Sequence, residues 1–276
     1  MSKSTSQAKR AILEAQATWA AGKPGVEDGY FATPKMNMPW LTDGIRAEID
    51  EGDGGEFSEK ARKPKIAALH SSSALGVNFF GYWHGRDWPE LAEVLEISHP
   101  IGNPRFERKF PTGIGPKSPN LDVVLSGANE LVAIESKFTE WLGTAGKKAL
   151  REPYLADKDG LWKKVGLPVA QRVAETYLEG PGFSMLDVPQ LLKHLLGVAT
   201  QNPSGKWQLK LVWFGPLSDA ALEMKDEIGR FRKMLGKDAT RFSDVTYQDL
   251  WVALKPRLGG RHRDYAAYLD SRYFSK

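Results

Sequence analysis

The stretch PNLDVVLSGANELVAIESKFTE, Pro119 to Glu140, decides how this chain is read. Apolar residues alternate on either side of Gly127 and Asn129, which predicts strands over 121–125 and 131–137 joined by a short turn. A two-residue loop at Ala128–Asn129 and a four-residue loop at 127–130 give the same register. Leu125 then faces Val132, Val123 faces Ile134 and Leu121 faces Ser136, an apolar face suited to a core. On the other face Val124 opposes Ala133 and Asp122 opposes Glu135, with Cβ atoms about 5 Å apart. Lys137 lies two residues on and points the same way. A slip of one residue destroys both faces together.

Two opposed carboxylates repel, and each raises the cost of ionising the other. A divalent cation removes the conflict. Mg²⁺ takes oxygen ligands, is commonly held by one or two carboxylates, and keeps water and substrate phosphate in its shell. A lysine beside it can orient an attacking water or steady developing phosphate charge. Acid, acid and lysine around a hard metal describe phosphodiester hydrolysis. The plainer alternative is a partly exposed strand face carrying a Lys–Glu pair. The flanking apolar strands, the short turn and the isolating register favour the metal.

Outward from the hairpin, RFERKF (105–110) alternates as a strand and WQLKLVWFG (207–215) reads as another. Helices are expected at Gln7–Ala21, from Ile66 to Trp83, at Pro89–Ile97, Val169–Leu178 and Val188–Thr200. Another is expected at Ser218–Leu235, with Ser218 as N-cap and Gly236 beyond its end. TYQDLWVAL (246–254) fits strand or helix. The order implies an α/β (α+β) fold, a central mixed sheet flanked by helices. Residues 1–65 read as a partly irregular N-terminal arm. Residues 66–276 form the domain, with a polar insertion at about 141–185.

At these positions the sequence resembles the PD-(D/E)XK nuclease superfamily, the restriction-endonuclease-like fold. SPNLDVV supplies the P…D half, with Pro119 and Asp122, and IESK supplies the ExK half. LHSSSALGVNFFGYW followed by FERKFPTG, PNLDVVL and ESKFTE is similar to a bacterial group of restriction-endonuclease-like proteins of largely unassigned role. The resemblance covers about residues 55–255. It implies a DNA nuclease, endonuclease rather than exonuclease, with Mg²⁺ (or Mn²⁺) on Asp122, Glu135 and the backbone carbonyl of Ser136. Lys137 would assist the nucleophilic water. It also implies an earlier glutamate, for which Glu107 is preferred over Glu93 and Glu56. A glutamine on a later helix fits Gln190, with His194 where the family often has an aromatic residue. The insertion departs from a minimal core. A homodimer is left open.

Composition sets the outer bounds. Hydrophobic content of 41% and charged content of 26% over 276 residues are ordinary for a globular chain. No cysteine is present, so disulfides and thiolate metal sites are excluded. No apolar run of about 18 residues and no secretory signal are read, which makes a cytoplasmic protein the expectation. Net charge is +4, and from Lys225 onward 12 Lys/Arg stand against 7 Asp/Glu. KPRLGGRHR (255–263) suits phosphate contacts, or is a solvated basic loop. DEGDGGEFSE lacks calcium-loop spacing, GIGPKS lacks phosphate-loop spacing, there is no G-x-S-x-G, and the five histidines show no metal spacing. Trp141, Trp162 and Trp207 adjoin basic residues and could stack on bases, although half-buried packing is the commoner use. Two other readings use the same sequence: a nucleic-acid binder that kept the fold without catalysis, and a partner-binding module.

Overall fold

The computed structural model describes residues 3–52, 55–58, 63–115, 117–143, 150, 152–155, 160–176, 182–203 and 205–274. The principal elements are α1 (Lys3–Ala20), α2 (Asp43–Glu51), α3 (Ser72–Phe80), α4 (Pro89–Val94), β1 (Pro100–Lys109), β2 (Asn120–Gly127) and β3 (Glu130–Lys137). They continue with α5 (Pro168–Thr176), α6 (Val188–Gln201), β4 (Lys206–Trp213), α7 (Asp219–Leu235), β5 (Phe242–Thr246), α8 (Tyr247–Leu254) and α9 (Arg263–Leu269). The end of the expected helix 169–178 lies outside the described residues. Among the described residues no helix is long and apolar enough to cross a membrane.

The five strands form one mixed sheet in the order β1-β2-β3-β4-β5. β1, β2 and β3 are antiparallel, and β4 runs parallel to both β3 and β5. The β2–β3 ladder closes at Ser126↔Leu131, so the turn is the four-residue form over 127–130, and Val124↔Ala133 and Leu125↔Val132 keep the expected register. β3 is buried from Leu131 to Ser136 because helices cover both of its faces. On one face α3 packs against β2 and β3. On the other, α6 packs against β4 and reaches β3 through its side chains. Gly197 lets α6 approach the chain just past β1: a Cβ there would stand 2.5 Å from the Phe110 carbonyl oxygen.

Capping settles the ends of several helices. Ser218 caps α7, its side chain accepting the Ala221 N–H at 3.3 Å, and Gly236 follows with φ 53°. The ambiguous stretch 246–254 is helical from Tyr247. Thr246 accepts the Asp249 N–H at 2.9 Å and donates its hydroxyl to the Asp249 carboxylate at 2.7 Å. Tyr247, Leu250, Trp251 and Leu254 are buried at helical spacing. The strand just before it, β5, gives too short a pattern to be read from sequence.

The described part of residues 1–65 holds α2 as well as α1, and Ala8, Ile12, Ile45 and Ile49 join the main core. Arg272, 3% exposed, ties both chain ends together. Its guanidinium donates to Gln16 Oε1 at 3.1 Å, Asn37 O at 2.8 Å, Asn37 Oδ1 at 2.6 Å and Tyr268 Oη at 2.6 Å.

Candidate active site

The β2–β3 ladder begins at the hairpin turn and ends at Val123↔Ile134. β3 continues beside β4 as far as Lys137↔Trp213. The two antiparallel strands therefore separate just before Asp122 would pair with Glu135. At the separation, Asp122 Oδ2 accepts the Ser136 backbone N–H at 2.6 Å. The carboxylate stands in for the ladder acceptor that β2 no longer supplies. The Ser136 hydroxyl meets Tyr247 Oη at 2.7 Å on the opposite face of β3, so only the Ser136 backbone belongs to the site.

β1 adds the third acid. Phe106↔Val123 and Arg108↔Leu121 bracket Glu107 against Asp122. Glu107 has φ +48°, a left-handed backbone inside a strand. Such a conformation is costly for a residue with a side chain, and it clusters where function needs an unusual direction. Packed against it is Gly52, where a Cβ would lie 2.6 Å from Glu107 Cβ. Burial, then the charges of Glu135 and Glu56, push the Glu107 carboxyl up to about 7, against the pull of Asn120 and Lys137. Burial, then Glu135 and Glu107, hold Asp122 well above the usual aspartate range, although Lys137 and the Ser136 N–H oppose this. Glu56 is also raised, chiefly by burial. Glu93 lies elsewhere, paired with Arg257 at 3.0 Å.

α6 closes the site from the other side. Asp187 caps it, accepting the Gln190 N–H at 3.0 Å. Gln190 Oε1 accepts from Lys137 Nζ at 2.9 Å, and Lys137 Nζ is 2.5 Å from Glu135 Oε1. One helical turn on, His194 Nδ1 is 3.2 Å from Glu135 Oε2 but misaligned for a hydrogen bond. Burial pushes His194 below the ordinary histidine range despite Glu135. Burial also disfavours the Lys137 ammonium, but Glu135, Asp122 and Glu140 outweigh it and raise the lysine. Sequence reasoning noted His194 only as a departure. Its place beside Glu135 follows from i, i+4 spacing to Gln190.

The fold thus gathers Glu107, Asp122, Glu135, Lys137 and Gln190 where β2 and β3 diverge. Acids outnumber the one ammonium, and two of them are driven toward the protonated form. That donor set suits a hard divalent cation bound through Asp122 and Glu135. Among the described residues no group of three or more His, Cys, Asp or Glu side chains is placed to hold a metal ion by itself. A cation held by two carboxylates would complete its shell with water and phosphate.

The other surface candidates are committed within the fold. Lys255 pairs with Asp270 at 2.7 Å, Arg257 with Glu93 at 3.0 Å and Arg261 with Glu90 at 2.7 Å. Three of the four cations in 255–263 are therefore matched by carboxylates. Trp141, Trp162 and Trp207 are buried and pack in the core. The model of the family described as Restriction Endonuclease associating with ARP matches residues 16–274. No curated protein and no solved structure matches the chain.

Proposed function

Because the chain belongs to this family of restriction endonucleases associating with ARP, we propose that it is a metal-dependent endonuclease hydrolysing phosphodiester bonds in DNA. The observation that carries the proposal is the convergence of Asp122, Glu135, Lys137, Glu107 and Gln190 where β2 and β3 diverge. Mg²⁺ or Mn²⁺, held by Asp122 and Glu135 with the Ser136 carbonyl nearby, would supply Lewis-acid stabilisation of the phosphate and a more acidic water.

The chain's own residues do the rest. Lys137, fixed between Glu135 and Gln190, points its ammonium at one place and orients the attacking water there. Gln190 gives that ammonium a second acceptor besides Glu135. Glu107 adds a further carboxylate on the β1 side, and its strained backbone holds the side chain at the site. Buried placement strengthens each of these interactions.

The test is cleavage of supercoiled plasmid and of linear single- and double-stranded DNA in Mg²⁺, Mn²⁺ or EDTA. Asp122→Ala and Lys137→Ala should each lose at least about 100-fold of a metal-dependent rate. Undiminished cutting by either variant, or cutting unaffected by EDTA, contradicts the proposal. DNA binding without cutting under any metal returns the chain to the class of non-catalytic binders.

A further inference from the structure

A buried histidine stands at the site without a bonding partner. His194 is 3% exposed, and its Nδ1 is an enclosed polar atom that makes no hydrogen bond. Such an atom is costly in a low-dielectric interior, and native structures keep few of them. Facing it is the Glu135 carboxylate, itself 2% exposed, with Oε2 at 3.2 Å from Nδ1. The separation is that of a hydrogen bond; the alignment is not.

The two oxygens of Glu135 therefore have different neighbours. Oε1 meets the Lys137 ammonium at 2.5 Å, and Oε2 faces the imidazole. Both neighbours are governed by α6. Gln190 holds the lysine at 2.9 Å, and His194 follows one turn later on the same face of the helix. The Asp187 cap anchors the start of α6, and Gly197 seats it against the Phe110 carbonyl. The ring thus reaches Glu135 from a rigid element, as a group that must hold another in place should.

We propose that His194 is a positioning residue: its Nδ1–H donates to Glu135 Oε2 once the carboxylate takes up a divalent cation, and so fixes the orientation in which Glu135 holds the ion. The inference deepens the nuclease reading and rests on its metal. Complementarity puts a proton on Nδ1. Against a carboxylate oxygen a ring lone pair repels and an N–H attracts. The neutral ring protonated on Nδ1 and the doubly protonated ring both meet this need; the neutral ring protonated on Nε2 does not. Alignment asks for little movement. The terminal torsion of a glutamate side chain is broad, so the Glu135 carboxylate can turn at small cost. In the metal-free chain Lys137 holds Oε1 and leaves Oε2 off the N–H direction. Carboxylates that bind metals are themselves hydrogen-bonded, and losing such a partner lowers metal affinity about 10- to 100-fold.

The test reads metal binding and ring protonation, with no DNA present. Mn²⁺ affinity of the full chain is measured by water-proton relaxation, and Mg²⁺ affinity by competition. His194→Phe keeps a buried ring and removes the donor, so both affinities should fall about 10- to 100-fold. His194→Asn puts an amide N–H near the place of Nδ1 and should recover most of that loss. Thermal unfolding in EDTA reports whether each variant is folded. Nitrogen-15 NMR of His194 in wild type needs no substitution. It should show a proton on Nδ1 in EDTA, retained and shifted downfield when Mg²⁺ is added. A ring protonated on Nε2 alone, or an Nδ1 that gives up its proton to ligate the metal, overturns the proposal. So does a folded His194→Phe that binds both ions as wild type does, or a His194→Asn that recovers nothing. Each of these outcomes leaves the nuclease reading standing. Wild type that binds neither Mn²⁺ nor Mg²⁺ removes both.

Discussion

Replacing Glu107 by Gln isolates the electrostatic cost of the site. In the folded chain the Glu107 carboxyl sits at about 7 rather than 4.5, mainly because it is buried, then because Glu135 and Glu56 are near. A shift of that size, at about 1.4 kcal/mol per unit, corresponds to about 3 kcal/mol. The sign follows from proton counting. Between about pH 4.5 and pH 7 the folded chain holds a proton that the unfolded chain has released. Stability therefore falls as pH rises through that window and stays lower above it. The substituted amide would carry no charge at any pH and escape the penalty. The variant should match wild type at pH 4 and exceed it by about 3 kcal/mol at pH 8. With an unfolding entropy of about 0.6 kcal/mol/K for a chain of this length, that is about 5 °C in Tm. Removing Glu107 also removes one charge that raises Asp122, which acts in the same direction. The assay is thermal unfolding by near-UV circular dichroism in EDTA from pH 4 to 8, read as the difference between the two proteins. That difference cancels His194 and other groups common to both. Mg²⁺ at pH 8 should then raise the Tm of wild type more than that of the variant. A difference that does not change with pH, or a variant less stable than wild type at pH 8, would refute the reasoning.

Three further substitutions probe the supports of the site. Gln190→Ala removes the 2.9 Å acceptor of the Lys137 ammonium, so kcat should fall about tenfold to 100-fold with metal affinity unchanged. Single-turnover rates and a metal titration check this, and an effect confined to KM would contradict it. Glu227→Ala strands the Ser184, Met185 and Leu186 N–H donors and the Ser184 hydroxyl. It should cost about 3 kcal/mol and open 182–187 to limited proteolysis, whereas an unchanged digestion pattern speaks against the anchoring role. Arg272→Met leaves Gln16, Asn37 and Tyr268 without their buried donor. About 3 kcal/mol or more of stability should be lost, with early cleavage near α1; retention of the wild-type Tm would sink this account.

Short-range physics made much of this protein legible from its sequence. The period-2 pattern around Ala128–Asn129 admits one register, and that register places Asp122, Glu135 and Lys137 on one face without any tertiary information. The cap and stop residues of α7 are likewise local, because each satisfies a backbone group within a turn of the helix. Tertiary structure decided the rest. The divergence of β2 from β3 depends on the Asp122–Ser136 hydrogen bond and on β4 continuing where β2 leaves. The left-handed backbone of Glu107 is held by its surroundings, and no local signal in RFERKF marks it. Gln190 and Lys137 lie 53 residues apart, across an insertion whose course the pattern of apolar residues does not specify. Three of the four cations of 255–263 look free in the sequence and are paired in the fold, because their acids come from α4 and from Asp270 just beyond α9. Periodicity and turns act over a few residues and can be read along the chain. Which carboxylates share a buried site, and what each costs to ionise, depends on elements brought together only when the sheet and its helices close.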